Sequence, residues 1–476
     1  VAAMLFNSVP FLFFLPVVLT LLWLLRRTRN PRLLMLVAAS FVFYGWWDAK
    51  YLVLILASGL IDFFCAQWIG SGEQRRKRFL VLSILGNLGI LATFKYSRFF
   101  AQSLESFLRL YDVDVQLVAQ IPADVVLPVG ISFYTFQSMS YTIDVYRGKL
   151  APTRNPLLFF GYISLFPQLV AGPIVRATTL LPQLEKPPRV SSIAAWEGLR
   201  WVVQGYFKKT VIADNLAPYV DRVFGTHHSL VTPTDWWLGV AMFALQIYAD
   251  FSGYTDIARG LGRWMGCDFP KNFDRPYAAT SLQDFWGRWH ISLSTWFRDY
   301  VYIPLGGSQC TALRNHYNLW LTMILSGLWH GAAWPFVIWG AWHAAVLSAE
   351  RITGLHRRFT GPIGLCFRRA VTLFAVFIGW AIFRAESLAQ VRDAFMGMAF
   401  LRDPPTAGVL IDMSWLTYAI LIGFVLMQFV HGIAGRLTEA TRERILHWLE
   451  PPLFVALVLA AIFLRGPGQQ FIYFQF

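Results

Sequence analysis

An all-α, polytopic membrane protein is the fold class this sequence predicts, and three observations carry that prediction. Of 476 residues, 56% are hydrophobic and only 14% charged. Soluble domains carry roughly a quarter charged residues, so this chain lacks the polar surface to cover itself in water. Uncharged runs of bilayer length recur from end to end, and basic residues gather in short loops between them. The same figures exclude a disordered chain and a disulfide scaffold, because apolar residues dominate and there are four cysteines.

Taken in order, the first run, 9–25, is followed rather than preceded by basic residues, the reverse of a signal peptide. A retained first span is expected, with Met4 as the start and residues 1–3 as an upstream extension. Further uncharged runs lie at 33–47, 79–94, 155–175, 236–249, 315–349, 370–383, 413–435 and 451–464. Segments 51–69, 125–146 and 193–212 are apolar with isolated polar residues. At ~20 residues per crossing, these predict ten or eleven transmembrane helices plus shorter re-entrant and interfacial ones. PVGISF at 128–133 and LFPQLVAGPI at 165–174 are rich in Pro and Gly. They read either as helices broken around a cavity or as packing kinks. No internal repeat is visible, and a single integral-membrane domain over 1–476 is expected.

Lys and Arg outnumber Asp and Glu by 41 to 27, a net charge of +14. Arg26, Arg27, Arg29 and Arg32, then Arg75, Arg76, Lys77 and Arg78, sit in loops as cytoplasmic residues do, so anionic lipid is the expected partner and nucleic acid is not. The loops at 26–32, 71–78 and 351–369 are thus expected in the cytoplasm and the N-terminus outside. Cys65, Cys267, Cys310 and Cys366 form no CxxC pair, sit mostly in apolar surroundings and are expected as buried thiols rather than ligands or bridges.

The chemistry concentrates in two stretches. From Asn315 to Ala349, thirty-five residues pass without an Asp, Glu, Lys or Arg. A straight helix of that length would be about 50 Å long and overshoot a ~30 Å hydrocarbon core, so it must break. Pro335 places the break at Gly331–Pro335 in SGLWHGAAWPF, directly after His330. An ionisable residue at membrane depth beside unpaired backbone is a functional candidate. Upstream, Trp286, Trp289, His290, Leu293, Trp296, Phe297 and Tyr300 follow helical spacing, predicting one aromatic face of an interfacial helix within 284–307. For His290 a packing role and a functional role both stand. Asp250 has no basic residue at helical spacing inside 246–260 and is expected to pair with a histidine or arginine elsewhere, while Asp256 and Arg259 read as a structural pair. His227 and His228 read as exposed loop residues. No GxxxxGK[ST], GxSxG, GxGxxG or HExxH motif occurs, which removes the usual apparatus of phosphotransfer, serine acyl transfer, hydride transfer and zinc hydrolysis. Proton abstraction from a hydroxyl by an imidazole during acyl transfer remains.

The segments LFNSVPFLFFLPV, LFPQLVAGPI, DFSGYTDIARGLG, NFDRPYAATSLQDFWGRWHISLSTWFRDYVYIPLGG, SGLWHGAAWPFVIWGAWH and FIYFQF together resemble the membrane-bound O-acyltransferase family, in the branch of bacterial alginate O-acetyltransferases. Gly287 departs from the arginine expected in the FWRRWH of that branch, which keeps cellulose-acetylating relatives in view. The resemblance implies N-terminal helices over 1–110, a helical core over 120–350, C-terminal helices over 370–476, and a funnel through which an acyl group passes from a cytoplasmic donor outward. It implies His330 and His290 as the catalytic pair, and a multi-pass protein of the bacterial inner membrane acetylating an exopolysaccharide. Acetyl-CoA is the expected donor, with no bound cofactor or metal, and a periplasmic polysaccharide acetyltransferase the expected partner protein. Asp250, Trp286, Arg288, Trp329 and Arg298 are the expected substrate-binding residues; Arg288, Arg298 and Arg314 suit the donor's phosphates or lipid headgroups. Two non-catalytic alternatives stay open at this point: a transporter, which predicts inverted repeats, and a scaffold of a polysaccharide secretion complex, in which the membrane histidines are dispensable.

Overall fold

A computed structural model of the chain describes residues 4–72, 75–122, 127–169, 172–401, 408–410, 412–434, 439–469 and 471–472. Residues 73–74 of the second basic loop, Val170 and Ala171 of LFPQLVAGPI, and 473–476 of FIYFQF lie outside this set. Among the described residues every regular element is helical, as expected. Among the described residues, three helical runs are long and apolar enough to cross a bilayer: Asn30–Gly70, Arg76–Arg109 and Gly361–Arg384. Val9–Leu24, Trp415–Met427 and Trp448–Phe463 are apolar but shorter.

Several apolar runs are interrupted, and local chemistry does the interrupting. Of the 125–146 segment, residues 125–126 lie outside the described set; from 127 on, the helix begins at Ile131, because Gly130 takes a left-handed φ of 73° that glycine adopts at little cost. The 155–175 run forms Pro156–Ser164, capped by Asn155 Oδ1, which accepts from Leu157 N at 3.0 Å, and then turns at Leu165 ahead of Pro167. The 315–349 run breaks where expected, into Ala312–His330 and Trp334–Thr353.

The chain divides into two compact units, Val1–Val202 with Ile257–Pro270, and Val203–Asp256 with Lys271–Phe476. In the first, Leu52–Gly70, Arg76–Leu91 and Ile131–Tyr146 meet at Asp62, which is completely buried. Its carboxylate accepts from Ser83 Oγ at 2.5 Å and Asn87 Nδ2 at 2.9 Å on one oxygen, and from Ser138 Oγ on the other. A buried carboxylate is costly unless its oxygens are bonded, so these donors from two neighbouring helices tie the three together.

In the second unit, Ala312–His330 runs antiparallel to Trp334–Thr353 at close range. A β-carbon at Gly327 would lie 2.1 Å from the Phe336 carbonyl oxygen, and one at Gly340 2.4 Å from that of Met323. Small residues at such crossings let backbones approach as membrane helix pairs require. Nearer the other end, Arg351 Nη1 donates to Asn315 Oδ1 at 2.9 Å, and Trp320 Nε1 donates to Ser348 Oγ at 3.1 Å.

The segment 284–307 corrects the single aromatic helix that its spacing predicts. Leu282–Trp286 and Ile291–Phe297 are separate helices, and a π-helical turn covers Arg298–Tyr302. Between them His290 adopts φ 42°, ψ 55°. Neighbouring backbone and an asparagine supply bonds that compete with the helix. Asp274 N donates to Arg288 O and Ile291 N to Asn272 O, both at 2.9 Å, while Ser292 N donates to Asn272 Oδ1 at 3.1 Å.

Candidate active site

The helix break delivers His330 into the interior. His330 is the last residue of its helix, and Gly331 continues in extended conformation at φ −158°. A β-carbon at Gly331 would lie 2.0 Å from the Phe336 ring, so only glycine leaves that ring in place. His330 is 5% exposed, and its ring meets Trp339 at 5.0 Å, Trp329 at 5.1 Å and Phe383 at 5.2 Å between centroids, each near edge-to-face. Burying an imidazolium among such rings costs more than burying the neutral imidazole, and the neutral form is the one that takes a proton.

Trp329 links the two histidines. Its indole lies 5.9 Å from the His290 ring and 5.1 Å from the His330 ring. His290 is completely buried, meets Phe251 edge-on at 4.6 Å, and has Nδ1 3.2 Å from Asn272 Oδ1. On the other side of His330, Trp339 contacts His343 at 4.8 Å, and Trp286 contacts Trp339 at 5.6 Å and His343 at 5.1 Å. His290, Trp329, His330, Trp339, His343 and Trp286 thus form one chain of ring contacts.

A cleft of about 240 Å³ opens beside Trp286. Arg298 and Arg351 bring charge to it, Gln283, Tyr302 and three hydroxyls from Ser294, Thr322 and Ser326 line it as well, and Leu293, Phe297, Leu319, Met323 and Leu347 form its apolar wall. Arg351 bonds to the neutral Asn315 amide, which leaves its charge uncompensated in that contact. Arg298 pairs with the adjacent Asp299 at 2.8 Å and is more than half exposed.

Of the sequence candidates, His330, His290, Trp329 and Trp286 come together, and Arg298 lines the cleft. Arg288 instead holds Asp284 at 2.6 Å and the Asp274 carbonyl at 3.4 Å. Arg314 lies over the Tyr317 ring. Asp250 does find a basic partner, but it is Lys209 rather than a histidine or arginine, because that lysine projects from the π-helical Phe207–Ala213. Lys209 Nζ stands 2.8 Å from both Asp250 and Asp214 and donates to Gln469 O at 3.0 Å, and Asp250 Oδ2 accepts from Ile472 N at 2.7 Å. Asp256 takes Lys208 at 2.6 Å, and Arg259 lies over Trp201. His228 is half-buried beside Asp393 at 3.2 Å. All four cysteines are free thiols; Cys65 and Cys267 are buried as expected, whereas Cys310 is only half-buried and Cys366 is exposed.

Sequence reasoning passed over Asn272 and Trp339, took Arg351 only as a basic loop residue, and left open whether His343, thirteen residues after His330 and beyond a proline, shares its face. Trp339 lies nine positions beyond His330 across a break, where helical spacing relates nothing. His343 follows Trp339 at i+4 and was reachable from that pair. Gly287 ends the Leu282–Trp286 helix at φ −72°, and a β-carbon there would meet nothing nearer than 3.3 Å, so a larger residue is not barred by its backbone.

Residues 149–387 match the model of the membrane-bound O-acyltransferase family. The probable alginate O-acetylase of Pseudomonas aeruginosa is 40% identical over 441 residues, covering 90% of this chain and 82% of that protein. The Azotobacter vinelandii protein of the same description is 44% identical, covering 88% and 78%. The peptidoglycan O-acetyltransferase of Helicobacter pylori is 34% identical, covering 84% and 81%.

Proposed function

The chain belongs to the membrane-bound O-acyltransferase family and is a membrane acyltransferase; on that premise we propose that it moves an acetyl group from a cytoplasmic donor across the bacterial inner membrane for O-acetylation of an exopolysaccharide of alginate or cellulose type. The single observation that carries the catalytic part is His330, held at a helix break in an aromatic box and joined to His290 through Trp329. Neutral His330 takes the proton of an acceptor hydroxyl as its oxygen attacks the thioester carbonyl. The C–S bond breaks, and the proton passes from His330 to the departing thiolate. His290 orients the reacting groups or steadies the developing charge.

The cleft supports the placement of the donor. Leu319, Met323, Ser326 and His330 fall at i, i+4, i+7 and i+11, so the cleft wall and the histidine share one helix face. Arg298 and Arg351 at the cleft suit a phosphorylated thioester such as acetyl-CoA. The cluster of basic residues from Arg351, in the last turn of Trp334–Thr353, to Arg369 supports a cytoplasmic opening. The remaining apolar helices complete ten or eleven crossings, and a periplasmic polysaccharide acetyltransferase receives the acetyl group.

The test is reconstitution of purified protein in sealed vesicles, sorted by orientation, with radiolabelled acetyl-CoA on one side and oligosaccharide plus candidate partner on the other. Label is expected on the acceptor side only when donor meets the cytoplasmic face. Transfer independent of orientation removes the trans-bilayer reading, and absence of transfer from every acyl thioester removes the enzymatic one.

A further inference from the structure

We propose that Asn272 is a positioning residue for the reaction: it fixes the His290 ring so that Nε2 is the basic nitrogen. The inference rests on the acyltransferase reading with His290 in the site. Asn272 is 1% exposed, and three groups converge on its Oδ1: Ser292 N at 3.1 Å, Ser292 Oγ at 2.9 Å and His290 Nδ1 at 3.2 Å. The contact with Ser292 N orients the amide, since a backbone N–H only donates and the atom facing it must be the oxygen. An oxygen opposite Nδ1 in turn requires that nitrogen to carry the hydrogen, and in the neutral ring the lone pair is then on Nε2.

The clamp extends to the backbone. Asn272 O accepts from Ile291 N at 2.9 Å, so main chain and side chain of one residue grip 290–292. His290 within that grip holds a left-handed φ of 42°, a conformation that residues with a β-carbon rarely keep without support. Around the ring stand Phe251, Trp329 and Phe273. Charged groups on those segments are ion-paired: Asp250 with Lys209, Asp274 with Lys271 and Arg288 with Asp284.

The experiment measures kcat and KM separately, over a range of pH, for native protein, Asn272→Ala and Asn272→Asp. Asn272→Ala should lower kcat by about tenfold or more with little change in donor KM, as loss of a group that orients another's ring does. Asn272→Asp keeps an oxygen facing Nδ1 and should recover most of kcat. Its acid limb should move to higher pH by about one unit or more, because a carboxylate beside the His290 ring favours the imidazolium, in which Nε2 no longer offers the lone pair that orients the reacting groups. Native kcat in Asn272→Ala overturns the proposal, as does equal impairment of both variants with an unmoved acid limb. Should Asn272→Ala fail to fold, Asn272→Asp decides alone: a displaced limb supports the clamp and a native profile overturns it. A native protein inactive with every thioester instead fails the acyltransferase reading and takes this inference with it.

Discussion

The indole of Trp329 stands 5.9 Å from the imidazole of His290, at 66° between ring planes, so the residue preceding His330 in sequence is the one that reaches the second histidine. Adjacent residues at the end of a helix point in different directions, which lets one helix end serve both rings.

If His330 is the base, His330→Ala should lower transfer by roughly 10²–10⁴-fold, the usual contribution of general-base catalysis, in a folded, inserted protein. His330→Gln keeps hydrogen bonding but takes no proton, so it should be nearly as inactive. Steady-state transfer by size-exclusion-pure variants checks both, and native activity in either would overturn His330 as the base.

Arg351 is expected to act on donor binding rather than on chemistry. Arg351→Gln removes a charge whose contact is the neutral Asn315 and should raise the donor KM by roughly tenfold, the order of one hydrogen bond to a charged group, with kcat little changed. A loss confined to kcat would place the donor elsewhere.

The glycine crossing should be intolerant of a single methyl. Gly327→Ala and Gly340→Ala each drive a β-carbon into a carbonyl of the facing helix and should cost about 1–3 kcal/mol. Gly89→Ala, inside the helix Arg76–Leu91, meets nothing within 4 Å and should cost nothing, raising stability by up to about 1 kcal/mol in the same thermal denaturation assay in detergent. Equal stability of all three would mean that the helices are not packed this closely.

The Lys209 cluster should respond asymmetrically. Lys209→Met strands two buried carboxylates and should destabilise by ~3–5 kcal/mol, whereas Asp250→Asn leaves the Lys209–Asp214 pair intact and should cost less. Thermal denaturation ranks the two, and the opposite order would contradict the ion cluster.

Topology can be read with cysteines introduced at Thr28 and Ser71 in a background lacking the four native thiols, which should retain transfer activity. Both residues are exposed, whereas at the neighbouring Gly72 the left-handed φ of 80° would strain a cysteine. With both loops cytoplasmic, an impermeant maleimide should label neither until cells are permeabilised. Labelling of intact cells would invert the orientation.

The sequence by itself determined the helical membrane class, the family and the break after His330, and it singled out His330 and His290 as candidates, because composition, Pro335 and short motifs act locally. It also marked Asp250 as needing a basic partner. What it could not determine was decided by contacts between segments remote in the chain. Periodicity makes 284–307 one helix, yet Asn272, eighteen residues before His290, supplies competing bonds that break it. Lys209 answers Asp250 from forty-one positions away. Trp339, His343 and Arg351 join the site only because Gly327 and Gly340 let the two helices fold back on each other. Helical spacing relates residues within an unbroken helix; once the chain turns at Gly331, neighbours are chosen by packing, and only the tertiary structure names them.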